Sequence, residues 1–557
     1  MTPAPTTDAD RRPARAADPA ELYDVAVLGS TLAAGLLGAV LARQGVRVLL
    51  VEAAQDRTAP SGETTVPYTA EVFLLLAKRF DVPEIAAFGL FPDLPAAVRR
   101  TSGVKKSLGF LYHHENLRHD PAEAVQFNVP GEHAEWHLYR PDVDAYARRL
   151  AGRYGAALTP QGVTVTDAEA TGDGGEVRTS NGRTYRARYL VDCSGGDSPL
   201  LRRAGGDDPE PRLTHRSTVY SAHLLGVTPF EEVVPLERHP KATAWSEGTV
   251  HHLFDGGWLQ LVRFGNHRAG ENPLTSATLS VDPEVAAQLP DDPEKAFRTV
   301  VERYPDLARQ FDAATPATPW TAQRQCQRTA RLTRGERWFA LERTAARTDL
   351  FLSRDVTTAA ELVHALAAAL IPAVRRDDFD PAPFDRVARF QEELGAWNDR
   401  LLAAARTACR DFRLWNAFSR VWLLWQILAD LSLKRARLDC ELGGDWAPVE
   451  RFELGGIWFH APEGLRDLVQ RSLERIGRVR EGTLDAGPAA DAIFTDLRRA
   501  PFVPPLYAFG DPEARVYHFT FPKRLRMLLW VKTKAPADFR RLLTRDNVTS
   551  VTSATSR

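Results

Sequence analysis

Cysteine is scarce in this sequence of 557 residues: Cys193, Cys326, Cys409 and Cys440 are scattered, with no C-x-x-C pair among them. That spacing suggests neither a disulfide framework nor a zinc site. No metal is expected, and the thiols read as buried groups in a reducing cytosol. An excess of either charge is also missing. Lys and Arg number 71 against 72 Asp and Glu, a formal net charge of −1. Nothing there draws the chain toward nucleic acid or an anionic membrane, which leaves a small-molecule or protein partner as the expectation. Long apolar runs are lacking too. The most apolar stretch, 421–428 (VWLLWQIL), is too short to span a bilayer, and Arg420, Asp430, Lys434 and Arg435 flank it, so it reads as a buried helix. The first twenty residues, rich in Ala, Pro, Arg and Asp, have no apolar core of a secretory signal and predict a disordered arm. A cytoplasmic location follows, and no internal repeat is visible.

What is present begins with an ordinary globular composition, 44% hydrophobic and 26% charged, in a chain too long for one core. Residues 23–28 (YDVAVL) form an apolar strand. It runs into a turn at Gly29 and a helix ending at Gln44, closed by Gly45. A second strand, 46–52 (VRVLLVE), ends in Glu52. Strand, glycine turn, helix, strand and acid open a dinucleotide-binding fold. Backbone N–H groups approach a pyrophosphate at the helix end, and Glu52 accepts from ribose hydroxyls. In the G-x-G-x-x-G spacing Gly29 holds the first place, Thr31 the second and Ala34 the third. Ala34 is tolerable, whereas a β-branched Thr31 where the pyrophosphate passes is expected to push the ligand out.

Further on, the pattern predicts a helix over 142–154. Strands follow at 163–165, 176–179 and 184–187 with an Asn181-Gly182 turn, and a buried strand at 189–192 precedes Cys193-Ser194-Gly195-Gly196. Residues 213–282 alternate as an antiparallel sheet does, and 338–341 reads as a last parallel strand. Helical periodicity takes over at 359–374, 384–405 and 414–431. The predicted class is α/β: a two-dinucleotide-binding FAD-type fold over 21–375, with an inserted substrate sheet at about 62–130 and 210–330. Residues 376–557 form a helical C-terminal capping region after the arm at 1–20.

These residues resemble the flavin-dependent halogenases, in particular the branch acting on tetracycline-type aromatic polyketides, from about Tyr23 to about Ile427. The resemblance is carried by the Gly29 turn, Gly62-Glu63-Thr64-Thr65-Val66-Pro67, Gly109-Phe110-Leu111-Tyr112-His113, Gln126-Phe127 and Tyr139-Arg140-Pro141-Asp142. It continues through 189–195, His251-His252-Leu253-Phe254, Asn266-His267, Asn272-Pro273-Leu274, Gly335-Glu336-Arg337-Trp338, 349–353 and Trp397-Asn398-Asp399. It implies reduced FAD from a separate flavin reductase, consumed with oxygen and halide, and an oxidised halogen that travels an internal tunnel to a lysine beside the substrate. Lys105 is the closer match to that lysine, with Lys106 beside it, and Glu63 matches the family's Gly-Glu pair. Gly29, Thr31, Ala34, Glu52, Arg140, Asp192, Gly195 and Asp349 fall where the family holds FAD.

Several positions depart from the family pattern. In the W-x-W-x-I-P segment only Trp258 survives, with Gln260 and Arg263 bringing polarity. In the third flavin segment, 343–355, Ala346, Leu350 and Asp355 replace glycine, proline and glycine. Asp355 is expected to place a carboxylate in the halide pocket, where a like charge within ~4–6 Å is strongly disfavoured. The gain of Arg and Asp there suggests an internal ion pair. On these grounds the first expectation is an enzyme that keeps the fold and cavity, binds FAD weakly or not at all, and does not halogenate. It would direct a cyclisation, rearrangement or dehydration of a polyketide-like molecule with Lys105, Glu63, Arg263, Arg347, Asp349 and Asp355 as candidate catalytic groups. The alternative is a working FADH2-dependent halogenase or monooxygenase. A third reading is a non-catalytic partner with Trp415, Trp422, Trp425 and Trp458 at an interface.

Overall fold

The computed structural model describes residues 15–53, 62–129, 134–196, 198–206, 213–234, 242–450 and 462–543. Strand β1 (Leu22–Leu28), helix α1 (Leu32–Arg43) and strand β2 (Val48–Val51) open the first layer. Both strands are apolar almost throughout and buried, as central parallel strands must be. Helix α2 (Pro67–Phe80) and strands β3 (Gly103–Lys105), β4 (Ser107–Tyr112), β5 (Ala124–Asn128) and β6 (Glu135–His137) leave that layer. Helix α3 (Arg140–Arg153) returns to it. Gly35 and Gly38 let α1 lie close against its neighbours. A Cβ at Gly35 would stand 2.6 Å from Ala147 of α3, and one at Gly38 2.5 Å from the Leu50 side chain of β2.

Strand β7 (Thr184–Asp192) pairs parallel with β1. The sequence pattern divides this run into two strands at 184–187 and 189–192, but the ladder is continuous. Its first half pairs with the hairpin strand Gly174–Thr179, and its last residues pair with Trp338–Ala340. Strands β8 (Thr218–Leu225), β9 (Thr249–Phe254), β10 (Gly257–Arg263) and β11 (Thr275–Val281) build the second sheet. Its order is β8-β11-β10-β9-β4-β5, antiparallel except where β9 meets β4. The mostly antiparallel sheet predicted for 213–282 is therefore present. Strand β12 (Trp338–Ala340) completes the first layer.

Helices α4 (Asp355–Arg376), α5 (Pro381–Ala408) and α6 (Phe412–Gly443) follow. The α6 helix runs twelve residues beyond the predicted end, because its polar tail is supported by i,i+4 pairs Arg435–Asp439 and Arg437–Glu441 rather than by an apolar stripe. The stretch 351–376, within which α4 lies, is long and apolar enough to cross a membrane by length and composition. However, 83% of its apolar window is buried inside the protein, as in a core helix. One apolar core runs from β1 through α4 to Phe539 near the chain end, and a second lies under the antiparallel sheet.

Three expectations change here. Arg15–Ala16, expected in a disordered arm, pair parallel with Ala157–Leu158, while residues 1–14 lie outside the described residues. Trp415, Trp422 and Trp425 are buried core residues and present no interface, and Trp458 lies outside the described residues. The C-terminal region is also stitched into the second sheet: Val516–Tyr517 pair parallel with Gln126–Phe127 of β5.

Candidate functional site

Gly29 leaves β1 at φ 137°, and a Cβ there would stand 2.5 Å from the Cys193 carbonyl oxygen. Only glycine fits that approach. Thr31, expected to obstruct a pyrophosphate, is instead the N-cap of α1. Its hydroxyl accepts from Ala34 N at 3.3 Å and donates to the Cys193 carbonyl at 3.4 Å, so it is turned into the protein. Ala34, at the place where close helix packing was expected, is buried, but the close approach falls on Gly35. On either side of the turn the Ser30 and Ser194 hydroxyls are buried without a partner among the described residues. Glu52, at the end of β2, accepts from Gly162 N at 3.0 Å and lies 3.6 Å from Arg148.

Asp192 ends β7 fully buried. Its carboxylate accepts from Ser194 N at 2.9 Å and from the Ser198 hydroxyl, fixing the turn that carries Gly195. Gly195 N donates to Thr344 Oγ1 at 2.9 Å, which ties the 343–353 segment to this turn. Burial pushes the Asp192 carboxyl upward against these donors. The turn, the two unpartnered hydroxyls, the start of a twelve-residue helix and Glu52 fit a dinucleotide.

Asp355 opens α4. The carboxylate expected in a halide pocket is met from several sides. It accepts from Gly62 N at 3.0 Å, lies 3.3 Å from Arg343 Nη1 and reaches Arg140 Nη1 at 4.0 Å. Arg140 also donates to the Gly62 carbonyl at 3.0 Å and pairs with Asp144. Sequence reasoning anticipated an internal ion pair, but its cation is Arg343, not Arg263 or Arg347. A count of charge around Asp355 would have found it. Glu342 lies beside this cluster, and burial and the nearby Asp355 charge push its carboxyl well above the usual carboxylate range. Glu342, Leu352 and Ser353 all adopt positive φ without being glycine, a concentration of backbone strain of the kind found at functional sites.

Residues 62–66 form a strap between the two layers. Gly62 meets Asp355 and Arg140 of the first layer. Glu63 Oε1 accepts from His223 Nε2 of β8 at 2.8 Å. Thr64 Oγ1 lies 3.2 Å from Thr249 Oγ1, which in turn meets His137 Nε2 at 2.9 Å. The Thr65 carbonyl accepts from Lys105 Nζ. Lys105 is sealed from solvent and pairs with Glu135 of β6 at 2.8 Å, and burial pushes the Glu135 carboxyl upward. His223 and Glu135 were not singled out in the sequence. Each lies far along the chain from its partner, on a strand whose alternation gave no sign of it.

The remaining candidates turn inward. Asp349 accepts from Ser217 Oγ at 2.8 Å, Ser280 Oγ at 2.5 Å and Phe351 N at 3.0 Å, with His215 at 3.5 Å. Burial opposes its charge, but His215 and these donors hold its carboxyl at about 2. Arg347 donates to the Cys326 carbonyl at 2.9 Å, and Arg263 to the Val227 carbonyl at 2.6 Å. Gln260 donates its amide N–H to His251 Nε2 at 2.9 Å inside the sheet. Trp258 stacks on Phe351, with 4.6 Å between centroids, and Phe351 on Trp415 at 5.3 Å. The departures in the tryptophan segment are thus taken up by internal hydrogen bonds, while the surviving Trp258 joins a packed aromatic wall.

A two-dinucleotide-binding layer, an antiparallel sheet and a helical C-terminal region define an FAD-binding-type enzyme fold. The chain belongs to the flavin-dependent halogenases. It is 31% identical over 535 residues to the monodechloroaminopyrrolnitrin halogenase PrnC of Pseudomonas fluorescens, covering 93% of each chain. It is also 31% identical over 530 residues to the tetracycline 7-halogenase of Kitasatospora aureofaciens, covering 94% of this chain and 95% of the relative. The structure of the halogenase PltM, solved also in complex with phloroglucinol and FAD, superposes with a TM-score of 0.81 at 28% identity, covering 89% of this chain and 99% of that one. No family model matches the sequence. These relatives are halogenases along nearly the whole chain. They do not support the first expectation, a non-halogenating cyclase deficient in FAD, and they favour its alternative.

Proposed function

We propose that the protein is a working halogenase that places chloride or bromide on an electron-rich aromatic molecule, using reduced FAD delivered by a separate reductase. The reading is supported by the strap, which ties the proposed cofactor layer to Lys105 through four consecutive residues. The departures that argued against flavin and halide are also accommodated internally at Thr31 and Asp355. Gly29, Ser30, Glu52 and Arg140 would hold FAD, which when reduced supplies, with oxygen and halide, a halogen at the hypohalous oxidation level. Overall, ArH, halide, FADH2, oxygen and a proton give ArX, FAD and two waters. Glu135 and the Thr65 carbonyl fix the Lys105 ammonium in a dry position, where a cation can present an electrophile's oxygen and water is kept from consuming it. Buried Trp258, Phe351 and Trp415 stack into an apolar wall between the antiparallel sheet and α6.

The test is incubation with FAD, a flavin reductase, NADH, bromide or chloride, and phloroglucinol, followed by mass spectrometry. A mass shift of one halogen is expected in the wild type. It should fall by at least about 10²-fold in Lys105→Ala, with FAD affinity by fluorescence quenching unchanged. A wild type that loads FAD, consumes reductant and halogenates no electron-rich arene would overturn the reading.

A further inference from the structure

We propose that Glu63 and His223 form the base that takes the acidic O–H proton of an aromatic substrate, with His223 Nδ1 as the accepting atom. The proposal rests on the halogenation reading and adds the means of activating the ring. Glu63 Oε1 receives the Nε2–H of His223 at 2.8 Å. That tautomer leaves Nδ1 with its lone pair, as in other carboxylate–imidazole pairs. Nδ1 makes no hydrogen bond among the described residues, while the His223 backbone is anchored by Thr318 Oγ1 at 3.0 Å.

Reach distinguishes this histidine from its neighbours. His113, His137, His251 and His252 are sealed in or beside the antiparallel sheet. The His223 and Glu63 side chains keep 20% and 11% of their surface open. Around the imidazole stand Tyr139, at 5.9 Å between centroids, and Phe264, at 5.6 Å, themselves 5.3 Å apart. An apolar surround of two aromatic rings, Tyr139 tilted and Phe264 edge-on to the imidazole, beside an unpaired imidazole nitrogen suits a flat ring bearing a hydroxyl. The position suits the chemistry as well. Glu63 lies one residue from Gly62, which bonds Asp355, and two from Thr65, which bonds Lys105.

In the proposed step the O–H bond breaks, its proton passes to Nδ1 and its electron pair stays on oxygen, raising electron density at the ring carbons ortho and para to it. The Glu63 carboxylate balances the imidazolium, and no oxidant is consumed. Burial pulls the His223 pKa down, but the charge and hydrogen bond of Glu63 more than offset it and set it above the ordinary value. The groups facing the ring are Glu63 from the strap and Tyr139 at the start of α3, with the apolar Phe264 beside them. The Tyr139 phenol is itself pushed up by burial, Asp142 and Glu63. The base therefore becomes competent as pH rises through a value higher than that of a free histidine.

The test uses the full chain in two arms. In the first, 4-nitrophenol is titrated in without flavin, below its own pKa. The wild type should bind it with the absorption of the phenolate, and His223→Gln with that of the phenol. In the second, phloroglucinol is halogenated with FAD, reductase and chloride across pH. His223→Gln should lose about 10²–10⁴-fold in kcat/KM with FAD affinity unchanged, and Glu63→Gln should move the acidic limb to lower pH. If His223→Gln folds poorly, Glu63→Gln and His223→Asn carry the same comparisons. Identical bound spectra and identical acidic limbs in wild type and variants would overturn the assignment and leave the halogenation reading standing. A wild type that halogenates nothing yet binds nitrophenolate through His223 would support the pair and remove that reading.

Discussion

Asp355 is the residue where sequence and structure argue most directly. A carboxylate brought to the edge of an anion site is costly in isolation, but here Gly62 N, Arg343 and Arg140 meet it. Removing one member of a buried charge cluster leaves the others uncompensated, at a cost of about 3–5 kcal/mol. Asp355→Gly, which restores the family's glycine, is therefore expected to lower the unfolding free energy by about 3 kcal/mol in urea. Asp355→Asn, which can still accept from Gly62, should lose less. Equal stability of Asp355→Gly and wild type would show that the arginines do not depend on it. The Lys105–Glu135 pair gives a second test on the same principle. Lys105→Met leaves Glu135 buried and unpaired. The double variant Lys105→Met, Glu135→Leu should therefore be more stable than Lys105→Met alone, by about 1–4 kcal/mol; a less stable double variant would count against an isolated pair.

Among the elements, those with a local signal were legible. The strand–glycine–helix–strand opening, the Asn181-Gly182 hairpin and the starts of α4 to α6 follow from apolar periodicity and turn chemistry. Partnerships across long separations were not, because alternation tells which face a side chain takes and not which strand lies beside it. Glu63 and His223 are 160 positions apart, and Lys105 meets Glu135 only because β3 and β6 pair antiparallel. Thr31 was misjudged for a related reason: its residue type was legible, but not the inward turn of its hydroxyl. His251 on β9 shows what such placement does to chemistry. Its ring stacks on Phe110 at 4.9 Å, and burial, with Lys105 nearby, pushes its pKa down to about 3. The unfolded chain takes up this proton near pH 6.5 and the native chain only near 3. Its contribution to stability is thus present above 6.5 and lost as pH falls below it. At pH 5 the loss is about 2 kcal/mol. Urea unfolding of His251→Asn at pH 7 and pH 5 should show a drop smaller than that of the wild type by this amount. An unchanged drop would place the imidazole in contact with water.

At the scale of the molecule, composition suggested several units, with residues 376–557 as a cap apart from the rest. One apolar core runs from β1 through α4 to Phe539 and so takes in that region, while separate apolar clusters lie under the antiparallel sheet and on the other face of the first layer. Arg420 of α6, fully buried, donates to the carbonyls of Ala508, Phe509, Asp511, Pro512 and Ala514, which binds the C-terminal turn to that core. Such continuity was not legible because it depends on which helix faces meet, and the amphipathic pattern of one helix does not name its neighbour. It has a thermodynamic consequence for the proposed cofactor. A ligand that binds only the native state adds about 1.4 kcal/mol for each tenfold rise in its concentration above Kd. With a shared core, that gain should reach the whole chain. FAD is therefore expected to raise a single Tm, steadily with the logarithm of its concentration. Hydrogen exchange in α7 (Leu465–Arg480) and α8 (Ala486–Arg499) should slow together with that in α1. A Tm indifferent to FAD would remove it as the resident cofactor. A transition that splits, with only the α1 portion responding, would show that the C-terminal helices unfold on their own despite the core they share.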